Sequence, residues 1–152
     1  MSVAARLSDL GIVLPEPAKA VANYVPWVRS GNLVHISGQL SNEAAGGVLG
    51  TVGVDVTPER AKEAARMCGV NLLAQMSAAL DGDLERIERI VKLGGFVQAG
   101  PDFSAIPAVI NGCSDLMVEV FGDKGRHARS AVGVYRLPLN FAVEIDAIVE
   151  VR

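Results

Sequence analysis

Apolar residues recur along this chain at two different periods, and the switches between them mark its elements. After Pro58, Ala61, Ala65, Cys68, Leu72, Met76 and Ala79 fall at helical spacing. Thr57 precedes the run as an N-cap, Pro58 suits the first turn, and Glu59 sets an acid on the positive end of the dipole. Gly82 ends the helix. A second helical run opens at Pro107, with Ile106, Val109, Ile110, Cys113, Met117 and Val120 on its apolar face, and stops at Gly122. Ser2 to Leu10 reads as a short helix with Val3, Leu7 and Leu10 on one side.

Elsewhere the period shortens to two. Tyr24 to Val28 and Leu33 to Ser37 read as strands around the turn triplet Ser30-Gly31-Asn32. Ile90 to Gln98 is a further strand, after a turn at Leu84 to Ile87. The chain closes on two alternating runs flanking Leu137-Pro138-Leu139-Asn140, which predict a terminal hairpin. Gly11 to Ala22, with Pro15 and Pro17, reads as loop; Gly38 to Gly53 reads as a Gly-rich loop with a short strand near Gly50 to Gly53. The order β-β-α-β-α-β-β predicts one α+β domain over residues 1–152, a mixed sheet with two helices on one face. The other face then has no cover from its own chain, so its apolar residues call for an oligomer.

Composition sharpens this picture. Half the residues are apolar but only 5% are aromatic, so Ala, Val and Gly carry the hydropathy. Small side chains suit close packing of sheets and subunits. The net charge is −3, and the only basic grouping is the loose set Lys124, Arg126 and Arg129. That argues against a nucleic-acid or anionic-membrane partner. No secretory h-region follows Met1 and no apolar run approaches a membrane span, so a cytoplasmic location is expected. Cys68 and Cys113 lie far apart in helical patterns and read as reduced core thiols.

Several chemistries lack their residues. The two histidines, His35 and His127, are far apart and without zinc spacing, so no metal is expected. The glycines from Gly46 to Gly53 are not followed by the Lys-Ser/Thr of a phosphate loop, and neither Ser37 nor Ser130 sits in a nucleophile elbow. Arg129 and Glu144 remain. Arg129, at the mouth of a strand, is either a solvated arginine or a planar fork for a substrate carboxylate. Glu144 shares its face with Asp146 and Glu150, and is either part of a polar surface or a base whose pKa is raised by apolar neighbours. With the hairpin turn centred between Pro138 and Leu139, Glu144 sits opposite Gly133 and Arg129 lies ~13 Å further along the strand. One hairpin does not close both on a small anionic substrate, which predicts a cleft between subunits.

Motifs in order along the chain carry a resemblance. Tyr24-Val25-Pro26-Trp27-Val28-Arg29-Ser30-Gly31-Asn32-Leu33 is followed by Ile36-Ser37-Gly38-Gln39, then by Asn111, then by His127-Ala128-Arg129-Ser130, Leu137-Pro138 and Val143-Glu144-Ile145-Asp146-Ala147-Ile148. From Tyr24 onward the chain resembles the Rid/YjgF family, the reactive intermediate deaminases. The resemblance implies a chorismate-mutase-like fold in a homotrimer with clefts between subunits. It implies hydrolysis of enamine or imine acids, of the 2-iminopropanoate or 2-iminobutanoate type, to 2-keto acids and ammonia, with no cofactor. Arg129 would hold the carboxylate and Glu144 would position water; Tyr24, Ser37, Gly38 and Asn111 would line the cleft. Ala131 stands where the deaminase branch has a cysteine, and His127 where it has a proline. With an extension over residues 1–22 and a longer loop from Ser41 to Gly50, the chain reads as a side branch. Rival expectations are a small-carboxylate binder or regulatory trimer, and a ribonuclease, against which the acidic balance speaks.

Overall fold

The computed structural model describes residues 1–152. Its elements are α1 (Val3–Asp9), β1 (Trp27–Ser30), β2 (Leu33–Leu40), α2 (Pro58–Ala79), β3 (Ile87–Gln98), α3 (Ile106–Phe121), β4 (Ala128–Val134) and β5 (Val143–Val151). The long helices start and stop on the predicted signals. Thr57 Oγ1 accepts from the Arg60 N–H at 3.2 Å, satisfying one of the orphan donors of α2. Past its end Gly82 takes a φ of +90°, and its N–H reaches the Ser77 carbonyl at 2.8 Å. Gly69 lets α2 lie close on α3: a Cβ there would stand 2.8 Å from Leu116 Cδ2.

Both helices pack on one face of a five-stranded mixed sheet with the order β1-β2-β5-β3-β4. β3 and β4 are parallel and every other pair is antiparallel. The central strand β5 alternates strictly. Val143, Ile145, Ala147, Val149 and Val151 are buried under the helices, against Leu72, Met76, Ile110 and Met117. Burying each large apolar side chain contributes about 1.5–3 kcal/mol. Glu144, Asp146, Ile148 and Glu150 face the other way, and no helix covers that side. From the N-terminus, α1 adds Leu7 to the core, and Arg6 Nη1 donates to the Val120 carbonyl near the C-terminal end of α3. No helix is long and apolar enough to cross a membrane.

The predicted terminal hairpin is corrected. Both runs are strands, but β3 lies between them, pairing with β4 on one side and β5 on the other. The 29 residues from Ala99 to His127 include α3, which is long enough to return the chain parallel to β3. The link from β4 to β5 must then cross the end of β3, and Gln98 holds it there. Gln98 is fully buried; its Oε1 accepts from the Leu137 N–H at 2.8 Å, and its Nε2 donates to Asn140 Oδ1 at 2.8 Å and the Gly50 carbonyl at 3.0 Å. Two smaller expectations also shift. β1 begins at Trp27 rather than Tyr24, and β2 runs on to Leu40. The expected strand near Gly50 to Gly53 is reduced to isolated bridges at Val52.

Candidate active site

Arg129 on β4 pairs with Leu93, which pairs with Ala147 on β5, and both partners are buried under the helices. Residues in one such row share a sheet face, so the Arg129 side chain lies on the helix side. There α3 presents Pro107, Asn111 and Ser114, four and three positions apart on one side of the helix. Arg129 Nη1 donates to Asn111 Oδ1 at 2.7 Å and to Ser114 Oγ at 3.0 Å; Nη2 donates to the Pro107 carbonyl at 3.3 Å. Guanidinium has five N–H donors, so one on Nη2 and the one on Nε remain free of protein partners. None of the ion pairs in the structure includes Arg129. It is therefore a half-buried cation held by neutral acceptors.

The hydrogen bonds continue behind it. Ser114 Oγ lies 2.9 Å from His127 Nε2, and His127 Nδ1 lies 2.7 Å from the Gly125 carbonyl. Burial pushes the His127 pKa below its ordinary value; the Gly125 carbonyl opposes that shift and the Arg129 charge reinforces it.

Glu144 belongs to a different group. Ile36 pairs with Ala147 and Gln39 with Ile145, so Ser37 and Gly38 together oppose Asp146 alone. This bulge sets Gly38 beneath the Glu144 carboxylate: a Cβ on Gly38 would stand 2.6 Å from Glu144 Oε2. Ser37 Oγ donates to the Val25 carbonyl at 2.8 Å, tying the Tyr24 segment to β2. Tyr24, Ser37 and Gly38 line a cleft of about 480 Å³, with Ala18, Asn42 and Asn71. Half-burial raises the Glu144 pKa, and the neighbouring Asp146 adds to the rise. Asp146 is itself raised by burial, against the pull of the Gly94 backbone and Lys92. A carboxylate so raised is a stronger base than an ordinary one.

The candidate residues thus fall into two sets within one chain. Tyr24, Ser37 and Gly38 form one, with Glu144 beside Gly38 but outside the walls of that cleft; Arg129, Asn111 and Ala131 form the other. Ala131 lies two positions along β4 from Arg129, partly buried against the core. With β3 between β4 and β5, the two residues are set further apart across the sheet than in a hairpin. Arg129 sits in the row of Leu93, whereas Glu144 sits in the row of Phe96, three positions along β3. The two residues are about 10 Å apart along the strands and about 10 Å apart across them. An odd offset also puts them on opposite faces. Ser114 and the Pro107 carbonyl were missed by sequence reasoning. Their signal was present, as a polar stripe with Asn111 beside the apolar face of α3. No three His, Cys, Asp or Glu side chains converge as metal ligands.

Residues 4–151 match the model of a family described as "YjgF/chorismate_mutase-like, putative endoribonuclease". Protein TCP17 of Trypanosoma cruzi is 49% identical over 152 residues, covering 99% of this chain and 94% of that one. A 2-iminobutanoate/2-iminopropanoate deaminase of Dermatophagoides farinae is 30% identical over 142 residues, covering 93% and 95%. A crystal structure of a protein of unknown function from Agrobacterium tumefaciens superimposes with a TM-score of 0.93 at 51% identity, covering 99% of this chain and 92% of that one.

Proposed function

Because the chain belongs to the YjgF/chorismate mutase-like family, we propose that it hydrolyses small 2-imino acids to 2-keto acids and ammonia, in clefts between the subunits of a homotrimer. The observation that carries the reading is the state of Arg129. Three neutral acceptors hold it, no acid neutralises it, and two N–H groups stay available. A substrate carboxylate supplies the missing anion and fits a planar fork. The deaminase relative supports the choice of substrate.

With the carboxylate held, the adjacent imine carbon is aligned for attack. Glu144 accepts a proton from water as the water oxygen bonds to that carbon and the C=N electron pair moves to nitrogen. Glu144 returns its proton to that nitrogen, and the carbinol hydroxyl then gives up its own proton to the nitrogen as the C–N bond breaks, leaving ketone and ammonia. The substrate is already electrophilic, so orientation and proton transfer suffice. Arg129 and Glu144 face opposite sides of one sheet, so in this scheme they come from different copies. Tyr24, Ser37, Gly38 and Asn111 line the assembled cleft, and Ala131 leaves room beside the arginine.

The test generates the imine in place with an amino-acid dehydratase and follows keto acid. Added protein should speed its appearance, and Arg129→Ala protein should not. Equal rates with and without the protein would overturn the reading. Binding of 2-oxobutanoate without any acceleration would make it a carboxylate-binding protein.

A further inference from the structure

The groups behind Arg129 form a chain whose directions are fixed. The Gly125 carbonyl can only accept, so His127 Nδ1 carries the hydrogen across their 2.7 Å contact. In the neutral ring Nε2 then has only a lone pair, and it accepts the Ser114 hydroxyl at 2.9 Å. With that hydrogen spent, the Ser114 oxygen offers its lone pairs to Arg129 Nη1 at 3.0 Å. A backbone carbonyl on the turn after α3 thereby dictates where a guanidinium on β4 points. We infer that Ser114 and His127 are positioning residues that aim Arg129 at its carboxylate, and that carboxylate binding there is coupled to protonation of the His127 ring. This rests on the reading of Arg129 as the carboxylate holder.

The coupling has a definite sign. A protonated ring must donate from Nε2, so the Ser114 oxygen receives two donors and its own hydrogen turns away. The imidazolium then also faces the Arg129 cation, the charge that acts on the ring. Other charges nearby are already paired: Arg126 with Asp123, Lys124 with Glu88, and Asp115 on α3 with Lys62. Lys92 on β3 shares its row with Ala128 and Ile148, on the opposite sheet face. A bound carboxylate neutralises Arg129 and makes the ring easier to protonate. By reciprocity the anion binds more tightly as pH falls through the His127 transition; Glu144, set in the same assembled cleft, adds its own dependence, so the His127 share is read in Glu144→Gln protein.

The ring can be titrated by NMR in the full-length protein, with His35→Gln assigning the two histidines. Without any ligand, Arg129→Gln should raise the His127 midpoint by about half a pH unit or more, and Arg129→Lys should leave it near the parent value. An unchanged midpoint in folded Arg129→Gln overturns the coupling, whether or not keto acids bind. In Glu144→Gln protein, 2-oxobutanoate should bind about threefold more tightly below the His127 transition than above it. Added to Glu144→Gln, His127→Gln can still accept the Ser114 hydroxyl, so it should keep the high-pH affinity and lose the pH dependence. His127→Ala should lose affinity at every pH. Persistence of the pH dependence in that double variant, or parent affinity in His127→Ala, overturns the inference. If Arg129→Gln does not fold, these two variants decide it. If 2-oxobutanoate fails to bind the parent, the proposed function falls, and the ligand-free titration still decides the coupling.

Discussion

Arg129 and Glu144 stand on opposite faces of one sheet, three positions apart along the strands and separated by β3. About 10 Å along the strands, about 10 Å across them and the sheet itself lie between the two within a single chain. A site that uses both has to be assembled from two copies, and the uncovered face of β5 is the surface available for assembly.

A mixing experiment follows from that geometry. Arg129→Ala and Glu144→Gln proteins should each be inactive alone and should recover activity after subunit exchange. With random mixing, about a quarter of the clefts in a cyclic trimer draw both intact residues, so recovery should approach that fraction of parent activity. Light scattering should give three copies per particle. A monomer, or no recovery after verified exchange, removes the shared site.

Arg129 itself should carry most of the carboxylate affinity. Arg129→Ala should cost about 2–5 kcal/mol in kcat/KM, provided the contact is desolvated in the assembled cleft. Arg129→Lys should recover little, since a point charge cannot replace three fixed acceptor contacts and a free fork. Steady-state kinetics with circular dichroism as a fold check decide it. Parent-like activity in Arg129→Ala would remove the assignment.

Glu144 should act in the chemical step, so Glu144→Gln should lower kcat more than affinity for the keto-acid product. Its raised pKa makes two pH predictions. The rate should fall as pH drops through that raised value, because protonation removes the base. For stability, the native state holds the Glu144 proton more strongly than the unfolded chain does. The stability linked to this group is therefore full below the ordinary carboxylate pKa and is lost as pH rises through the raised value. At neutral pH Glu144→Gln should leave Tm equal or higher, and that advantage should vanish in acid. A clear drop in Tm at neutral pH would make Glu144 a structural residue.

Gly38 tests the same carboxylate from the other side. In Gly38→Ala the new methyl meets Glu144 Oε2 at 2.6 Å, so the carboxylate has to move. Turnover should fall by about tenfold or more while thermal unfolding changes little, as a misplacement of about 1 Å can cost 10²-fold. Unchanged turnover would show that the carboxylate position over Gly38 does not matter.

Gln98 should matter for folding rather than chemistry. Gln98→Leu leaves the half-buried Leu137 N–H without its acceptor, and the exposed Asn140 side chain and the buried Gly50 carbonyl without their donor. A buried unpaired group costs about 1–3 kcal/mol, and water can replace the partner of the two more accessible groups, so denaturant unfolding should show a loss of about 1–3 kcal/mol. A loss below 1 kcal/mol would mean that the β4–β5 connection does not depend on this amide.

What the chain determined alone was local. Thr57, Pro58 and Gly82 bound α2, and Gly122 ends α3, because caps and helical periodicity act over a few residues. Alternation made strands of both final runs and placed Glu144, Asp146 and Glu150 on one face, since side chains on a strand alternate whatever its neighbours are. The motifs around Arg129 and Glu144 were legible for the same reason, as residue types in order. The tertiary structure decided which strand lies beside which. An alternating strand fits an antiparallel or a parallel neighbour equally well, and here the long α3 crossover puts β4 against β3 rather than β5. That pairing placed Arg129 over α3, joined it to Asn111, Ser114 and His127, and set it on the opposite face from Glu144. The bulge at Ser37 and Gly38 likewise exists only in the register of β2 against β5. These contacts join residues many positions apart, and no local pattern specifies their register.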